Sequence, residues 1–422
     1  MASFLLLIYK ILSVIFTPIV IIIVFLRVLQ GKEINSRIKE RFAFSKIKRP
    51  TGKLIWINAS SIGEYLATIS LIKKIKKIKP KTKILITTNT KTSALLAKKI
   101  SDKNIIHQFT PQDNPLVIKK FLNYWKPSLV LWMESEFWPI ILDEIKKFNI
   151  KIILLNGRMS DKSFRNWNYF KFFFKKVITN FSLILTMSKI DQKNFKKLGA
   201  KNIGYIGNLK FCNEDQTYNK SIEKKAKKLI GNRPVWLAAS THSGEENIVA
   251  VSHNLLKKEL KLKNLLTVIV PRNIKRSTDI VKEIRSIVPS VKLFNSQFIS
   301  KNTEIIVDDS IGQLEMWYKN IKTVFLGKSL PPKGGQNPIE PARNGCAIIS
   351  GTMSNFKEIE KEMLINKCIL HIKNNLDLFN ATKNFIKRDS YAKKFRVNAK
   401  NYVKSKSLIL DKTFIKIKKY LV

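Results

Sequence analysis

Short apolar runs recurring at helix-sized intervals constrain this chain more than any other feature, because runs of that length and spacing fit strands of a sheet covered on both faces. Leu54 to Asn58, Ile84 to Thr88, Leu129 to Met133, Ile152 to Asn156 and Leu183 to Met187 form one series. Val235 to Ala239, Leu266 to Val270, Ile305 to Val307, Thr323 to Leu326 and Ala347 to Ser350 form a second. From Phe211 to Ile230 the pattern lapses into polar, lysine-rich sequence. Each series predicts a parallel α/β sheet, and 422 residues with 45% hydrophobic content suffice for two such cores. The expected division is a membrane-seeking segment over 1–30, a first domain over 31–211, a linker over 212–230, a second domain over 231–385, and a basic helical tail over 386–422 able to pack back on the first.

In sheets of this kind ligands bind beyond the carboxyl ends of the strands, so the residues after each run are the candidates. After the first run stand Ser61, Gly63 and Glu64 at a helix start. Glu64 can take a proton from an attacking hydroxyl if burial tunes it, and Ser61 with Glu64 equally makes a capping box. Glu134 and Glu136 flank Ser135 at another strand end beside Trp138, and Arg158 follows a third. Carboxylates two residues apart on one strand end do not suit a paired-carboxylate glycosidase. In the second series Ser240, Thr241 and His242 follow the first strand, Arg272 follows the next, and Lys210 lies at the junction. Arginine at a strand end suits a phosphate or a carboxylate.

The segment from Leu326 to Pro341 concentrates backbone freedom. Gly334 and Gly335 precede Gln336 and Asn337, with Asn337 expected as a helix cap, Pro338 in the first helical position and Glu340 in the third. Glycines leading into a helix start favour a phosphate, while Asn337 with Glu340 also reads as a plain capping pair. Gly327-Lys328-Ser329 is not a P-loop, since Lys322 occupies the position of its first glycine.

At the other end, Ile11 to Leu26 is sixteen residues without a charge, and Phe4 to Tyr9 extends it if Lys10 snorkels. The segment can span a bilayer or lie in one leaflet. The cations that follow, Arg27, Lys32, Arg37, Lys39 and Arg41, put the remaining chain on the cytoplasmic side. A formal net charge of +48 calls for an anionic partner, a membrane surface, or a lysine-rich composition solvated on helix faces. Cys212, Cys346 and Cys368 lack C-x-x-C spacing, and His107, His242, His253 and His371 form no metal-ligand pattern, so neither a disulfide framework nor a zinc site is expected.

Taken in order, Ser61-Ile62-Gly63-Glu64, Glu134 to Pro139, Asn156 to Ser160, Gly207 to Phe211, Ala239 to His242, Val270 to Arg272, Gly334 to Pro341 and Asn355-Phe356 resemble the 3-deoxy-D-manno-oct-2-ulosonic acid (Kdo) transferases of lipopolysaccharide synthesis over nearly the whole chain. The resemblance implies a GT-B glycosyltransferase: two Rossmann-like domains with an interdomain cleft, plus an N-terminal membrane-anchor helix on the cytoplasmic face of the bacterial inner membrane. It implies inverting transfer from CMP-Kdo to a lipid A precursor, with no metal or other cofactor and no nucleic acid partner. Glu64 matches the family's base. Lys210, Ser240, Thr241, His242, Arg272, Gly334, Gly335, Gln336, Asn337 and Glu340 fall on the donor side, and Ser61, Gly63, Glu134, Glu136 and Arg158 on the acceptor side. The chain departs from the pattern at Asn58, Asn273 and Gln336, where histidine is usual, at Gln313 in place of an acid, and at Cys212 in place of aspartate. Asparagine and glutamine keep hydrogen bonds but carry no proton at neutral pH. Two alternatives remain from the residues alone: transfer from another nucleotide sugar, and a noncatalytic membrane-attached protein that binds anionic polymers.

Overall fold

The computed structural model describes residues 1–99, 105–213, 218–330 and 334–421. They form two compact units, one of Met1–Glu214 with Ser407–Val422 and one of Asp215–Lys406. Each is built on one parallel sheet of seven strands flanked by helices.

In the first unit the strands are β1 (Leu54–Asn58), β2 (Lys83–Thr88), β3 (Ile105–Phe109), β4 (Leu129–Met133), β5 (Lys151–Gly157), β6 (Leu183–Thr186) and β7 (Ile203–Tyr205), in the order β3-β2-β1-β4-β5-β6-β7. Leu54, Trp56 and Ile57 are wholly buried, as a strand covered on both faces requires. Trp56 packs 4.7 Å from Phe121 and meets Trp132 edge-on at 5.7 Å, and its indole N–H donates to Thr87 Oγ1 at 2.8 Å. These contacts supply apolar burial without stranding a polar atom.

The second unit has β8 (Val235–Thr241), β9 (Leu266–Pro271), β10 (Val291–Leu293), β11 (Ile305–Val307), β12 (Thr323–Leu326), β13 (Ala347–Ser350) and β14 (Ile369–His371), ordered β10-β11-β9-β8-β12-β13-β14. Of its two wholly buried tryptophans, Trp236 and Trp317, the latter donates to Asp308 Oδ2 at 2.6 Å. All pairings in both sheets are parallel, as the alternating pattern predicts. The order reverses between β1 and β4 in one sheet and between β8 and β12 in the other. Those two reversals are the positions where such sheets bind ligands.

Four strands do not stand out as apolar runs: β3, β7, β10 and β14. They are the four edges of the two sheets. An edge strand is covered less completely, so its sequence is free to be mixed, as in Ile105-Ile106-His107-Gln108-Phe109. Residues 212–230, expected as a linker, contain the helix Lys220–Ile230, capped by the Asn219 side chain on the amides of Ser221 and Ile222. The basic tail divides: the helix Asp389–Ser405 belongs to the second unit, and Ile409–Lys418 returns to pack on the helix Ile62–Ile78 of the first.

The N-terminal segment is not the expected single anchor helix. It is two helices, Ala2–Ile15 and Thr17–Leu29, bent by 57° at Phe16. No single helix among the described residues is long and apolar enough to cross a membrane.

The tail helix closes the first unit through Ile417, which is 0% exposed. Ile417→Ala is therefore expected to cost about 2–5 kcal/mol of stability. The urea unfolding midpoint reads this out, and an unshifted midpoint would contradict the docking of that helix.

Candidate functional site

At the reversal of the first sheet, the residues that follow β1, β4 and β5 converge. Ser61 caps the helix Ile62–Ile78: its Oγ accepts the Glu64 N–H at 3.3 Å. The Glu64 carboxylate in turn accepts the Ser61 hydroxyl at 2.8 Å and the Ser60 amide at 2.9 Å. A capping arrangement thus fixes the rotamer of a buried carboxylate. Burial, and then the negative charge of Glu134, push its pKa up to about 7, against the lowering effect of its bonds to Ser61 and Ser60; Glu136 adds a smaller upward push. Capping and proton acceptance are properties of the same carboxylate. The cap holds it still, and its surroundings leave it half ionised near neutrality.

Glu134 stands at the end of β4 with φ 55°, a left-handed turn that redirects the chain there. Its Oε1 receives the Lys210 ammonium at 2.6 Å and the Asn156 side-chain amide at 3.2 Å. Asn156 Oδ1 accepts the Leu209 N–H at 3.0 Å, and Asn208 Oδ1 accepts the Lys210 N–H at 3.0 Å, so the segment carrying Lys210 is tied to β5. Lys210, predicted for a donor phosphate or carboxylate, is engaged here by Glu134 within the first unit. Lys210 passes beside Gly63, where a Cβ would meet Lys210 Cε at 3.6 Å, an ordinary van der Waals contact. Glu136 accepts the Trp138 indole N–H at 2.6 Å, and Arg158 lies half-buried after β5.

The second unit uses a carboxylate differently. Glu245 opens the helix Glu245–Glu259 after β8 and is wholly buried. Its oxygens accept the amides of His242 at 2.9 Å, Lys328 at 2.7 Å, Ser329 at 3.2 Å and Leu330 at 3.3 Å. The end of β8 is thereby laced to the loop after β12. Burial raises the Glu245 pKa above the ordinary carboxylate range, and these amide bonds offset only part of that rise. The approach is close: a Cβ on Gly327 would lie 2.6 Å from the Ser240 carbonyl oxygen. Ser240 and Lys328 take left-handed φ values of 58° and 56° to make it.

Around that tie lie the other predicted residues of this unit. Thr241 Oγ1 donates to the buried Glu246 at 2.9 Å, and Arg276 bonds the same oxygen at 3.2 Å. His242 Nδ1 is 3.2 Å from the Ser240 carbonyl oxygen. Arg272 donates its backbone N–H to Thr241 O at 3.0 Å and keeps its side chain exposed. The Gly335 amide bonds Lys328 O at 2.6 Å and the Asn355 amide bonds Gly334 O at 2.9 Å. Gly335 is obligatory: φ is 73° and a Cβ would meet Met353 Cγ at 2.5 Å. Gln336, Asn337 and Glu340 are half-buried.

One detail differs from the sequence expectation. The helix here is only Ile339–Arg343, with Pro338 as its cap residue and Glu340 in its second position, because Asn337 Oδ1 accepts the Ile339 N–H and closes a turn first. Loop amides, more than a helix dipole, are what this segment offers an anion. Glu245, Glu246 and Arg276 were not singled out by sequence; two acids after a glycine read as ordinary first-turn acids.

Comparison with known proteins follows the same division. Residues 36–213 match the family model described as 3-deoxy-D-manno-octulosonic-acid transferase (kdotransferase). A 3-deoxy-D-manno-octulosonic acid transferase of Rickettsia typhi is 32% identical, covering 98% of this chain and 99% of its own. That of Haemophilus influenzae is 29% identical, covering 87% of each. Among solved structures, a glycosyltransferase from Rickettsia africae aligns over 88% of this chain and 99% of its own, with a TM-score of 0.59 and 16% identity, a likeness of fold.

Glu134→Gln removes the charge that disfavours ionised Glu64 and releases the Lys210 ammonium, and both changes favour the ionised form. The Glu64 midpoint is expected to fall from about 7 toward its ordinary 4.5, read from carboxyl-carbon NMR across pH. Because the folded wild type holds that proton between 4.5 and about 7, its stability should decline as pH rises through this window, and decline less in the variant. A midpoint that stays or rises would contradict the assigned coupling.

Proposed function

The chain belongs to the 3-deoxy-D-manno-octulosonic-acid (Kdo) transferase family of GT-B glycosyltransferases, and from that premise we propose that it transfers Kdo from CMP-Kdo to a hydroxyl of a lipid A precursor, lipid IVA, releasing CMP with inversion at the transferred carbon. The observation that carries this reading is Glu64: a buried, rigidly capped carboxylate with a pKa of about 7 at a ligand-binding position of its sheet. A base that titrates near the working pH is both available and strong enough to matter.

In the proposed reaction Glu64 accepts the proton of the acceptor hydroxyl as that oxygen bonds to the Kdo carbon. The bond from that carbon to the CMP phosphate breaks, and the electron pair leaves with CMP. The Gly334 amide and the exposed Arg272 guanidinium take the developing phosphate charge, with Gly335 shaping the loop and Ser240, Thr241, His242, Gln336, Asn337 and Glu340 contributing to the donor site. Lys210 holds Glu134 in place and sets the charge around the base. No metal or other cofactor has a step in this scheme. The reading also proposes work at the cytoplasmic face of the inner membrane, where acceptor phosphates and anionic lipids match a net charge of +48.

The test is incubation of the full chain with CMP-Kdo and tetraacylated lipid A precursor, followed by mass analysis of the lipid. One or more Kdo increments with matching CMP release are expected. Glu64→Ala should lower transfer by about 10²–10⁴-fold and leave CMP-Kdo affinity unchanged by calorimetry. A wild type that adds no Kdo would overturn the function, and an active Glu64→Ala would overturn the base.

A further inference from the structure

The two N-terminal helices carry their polar groups on one side, and that side is fastened to the first unit. The Lys10 ammonium lies between Asp143 at 2.5 Å and Glu144 at 2.6 Å, and the Tyr9 hydroxyl donates to Asp113 at 3.1 Å. Asn114 grips the bend itself: its side-chain amide donates to the Ser13 carbonyl oxygen and to Thr17 Oγ1, both at 3.1 Å, on either side of Phe16. The same Asn114 caps the helix Pro115–Trp125, so the 57° bend is anchored in the core architecture. At the far end Arg27 bonds Glu33 at 2.8 Å.

The other side is apolar and uncovered. Phe4, Ile11, Ile15, Ile19, Ile22 and Phe25 are all exposed. The first helix packs against Lys171–Ile178, where the exposed Tyr169, Phe170 and Phe172 continue the apolar surface. Lys162, Arg165, Lys171, Lys175 and Lys176 flank those rings along the chain, with a single acid, Asp161, on the same stretch. Exposed aromatic residues interleaved with lysine and arginine match the boundary between acyl chains and anionic headgroups.

Attachment, more than length, decides between crossing and lying flat. Unbent, residues 2–29 would reach about 42 Å, enough for a bilayer core of about 30 Å. Bent at Phe16, the arms are 14 and 13 residues, about 20 Å each. Even so bent, the pair measures about 36 Å end to end, so length alone permits a crossing. The fastenings do not: they run from Lys10 through the bend to Arg27, along both arms, and a crossing would strip Lys10 and Asn114 of their partners or draw the charged flank of the first unit into the bilayer with them.

We propose that the N-terminal helix pair lies within one leaflet of an anionic bilayer without crossing it, with Tyr169, Phe170 and Phe172 entering the same leaflet, so that residue 2 and the two α/β units are on one side. The inference deepens the membrane part of the proposed function and is independent of the chemistry at Glu64.

The test uses the full chain in bacterial membranes. Ala2→Cys and, as a reference on the second unit, Lys301→Cys are probed with a membrane-impermeant maleimide in inverted inner-membrane vesicles and in intact spheroplasts. Both positions are expected to label in the inverted vesicles and neither in spheroplasts. Labelling of Ala2→Cys from the spheroplast side alone would mean a crossing and would overturn the proposal while leaving the transferase reading intact. In flotation, purified chain should favour phosphatidylglycerol over phosphatidylcholine vesicles by at least about tenfold. Phe170→Ser with Phe172→Ser, both exposed, should weaken that binding without changing the circular dichroism spectrum. Equal flotation of wild type and double variant, or a lipid-free dimer that vesicles do not dissociate, would also overturn it.

Discussion

A buried carboxylate at the first turn of a helix, placed where its sheet reverses order, organises each half of this protein. Taking such a group out of water is costly unless hydrogen bonds or a proton compensate it. Burial raises the pKa of both, and the two halves meet the remaining cost with different partners. Glu245 is met by four backbone amides, from His242, Lys328, Ser329 and Leu330, which act as a strut between strand end and loop. Glu64 has two donors, Ser60 and Ser61, and faces the negative charge of Glu134. Its compensation comes in part from a proton, and a group that readily gains and loses a proton is suited to chemistry.

The rest of each site follows from that difference. In the first unit Lys210 crosses Gly63 to reach Glu134, so the cation near the base is fixed by its own counter-charge. In the second unit the Lys328 carbonyl accepts the Gly335 amide, and the Gly334 carbonyl in turn accepts the Asn355 amide, backbone held by backbone. Gly327 and Gly335 allow approaches that any side chain would block. The result is a glycine-bearing surface in the same unit that exposes Arg272, a chemistry suited to a departing nucleotide phosphate.

How much of this was legible depended on burial and on sequence distance. Interior strands declare themselves because both faces must be apolar, and Leu54–Asn58, Leu129–Met133 and Ala347–Ser350 coincide with their runs. The four edge strands carry no such obligation and were not visible. Glu64 was legible because its partner Ser61 is three residues away in a capping pattern. The ion pair of Lys210 with Glu134 joins residues 76 positions apart, and nothing local announces it. Glu245 was hidden for a related reason, since three of its four amides come from residues 328–330. Asn58, a departure from the family's histidine, is buried and accepts the hydroxyls of Thr87 at 2.8 Å and Thr110 at 3.0 Å. There it braces neighbouring strands and needs no exchangeable proton. The bend at Phe16 was equally invisible, because Asn114, which fixes it, lies about a hundred residues downstream.

The claim that the two carboxylates hold opposed jobs is tested most directly by removing each charge with minimal change of shape and reading stability and transfer together. Glu64→Gln and Glu245→Gln would be compared with wild type at pH 8 by urea unfolding and by Kdo transfer. The account predicts that at pH 8, where Glu64 is ionised against burial and Glu134, Glu64→Gln is at least as stable as wild type yet fails to transfer, while Glu245→Gln loses about 1–3 kcal/mol because buried amides are left without an acceptor. A Glu64→Gln protein that transfers normally, or a Glu245→Gln protein as stable as wild type, would contradict it.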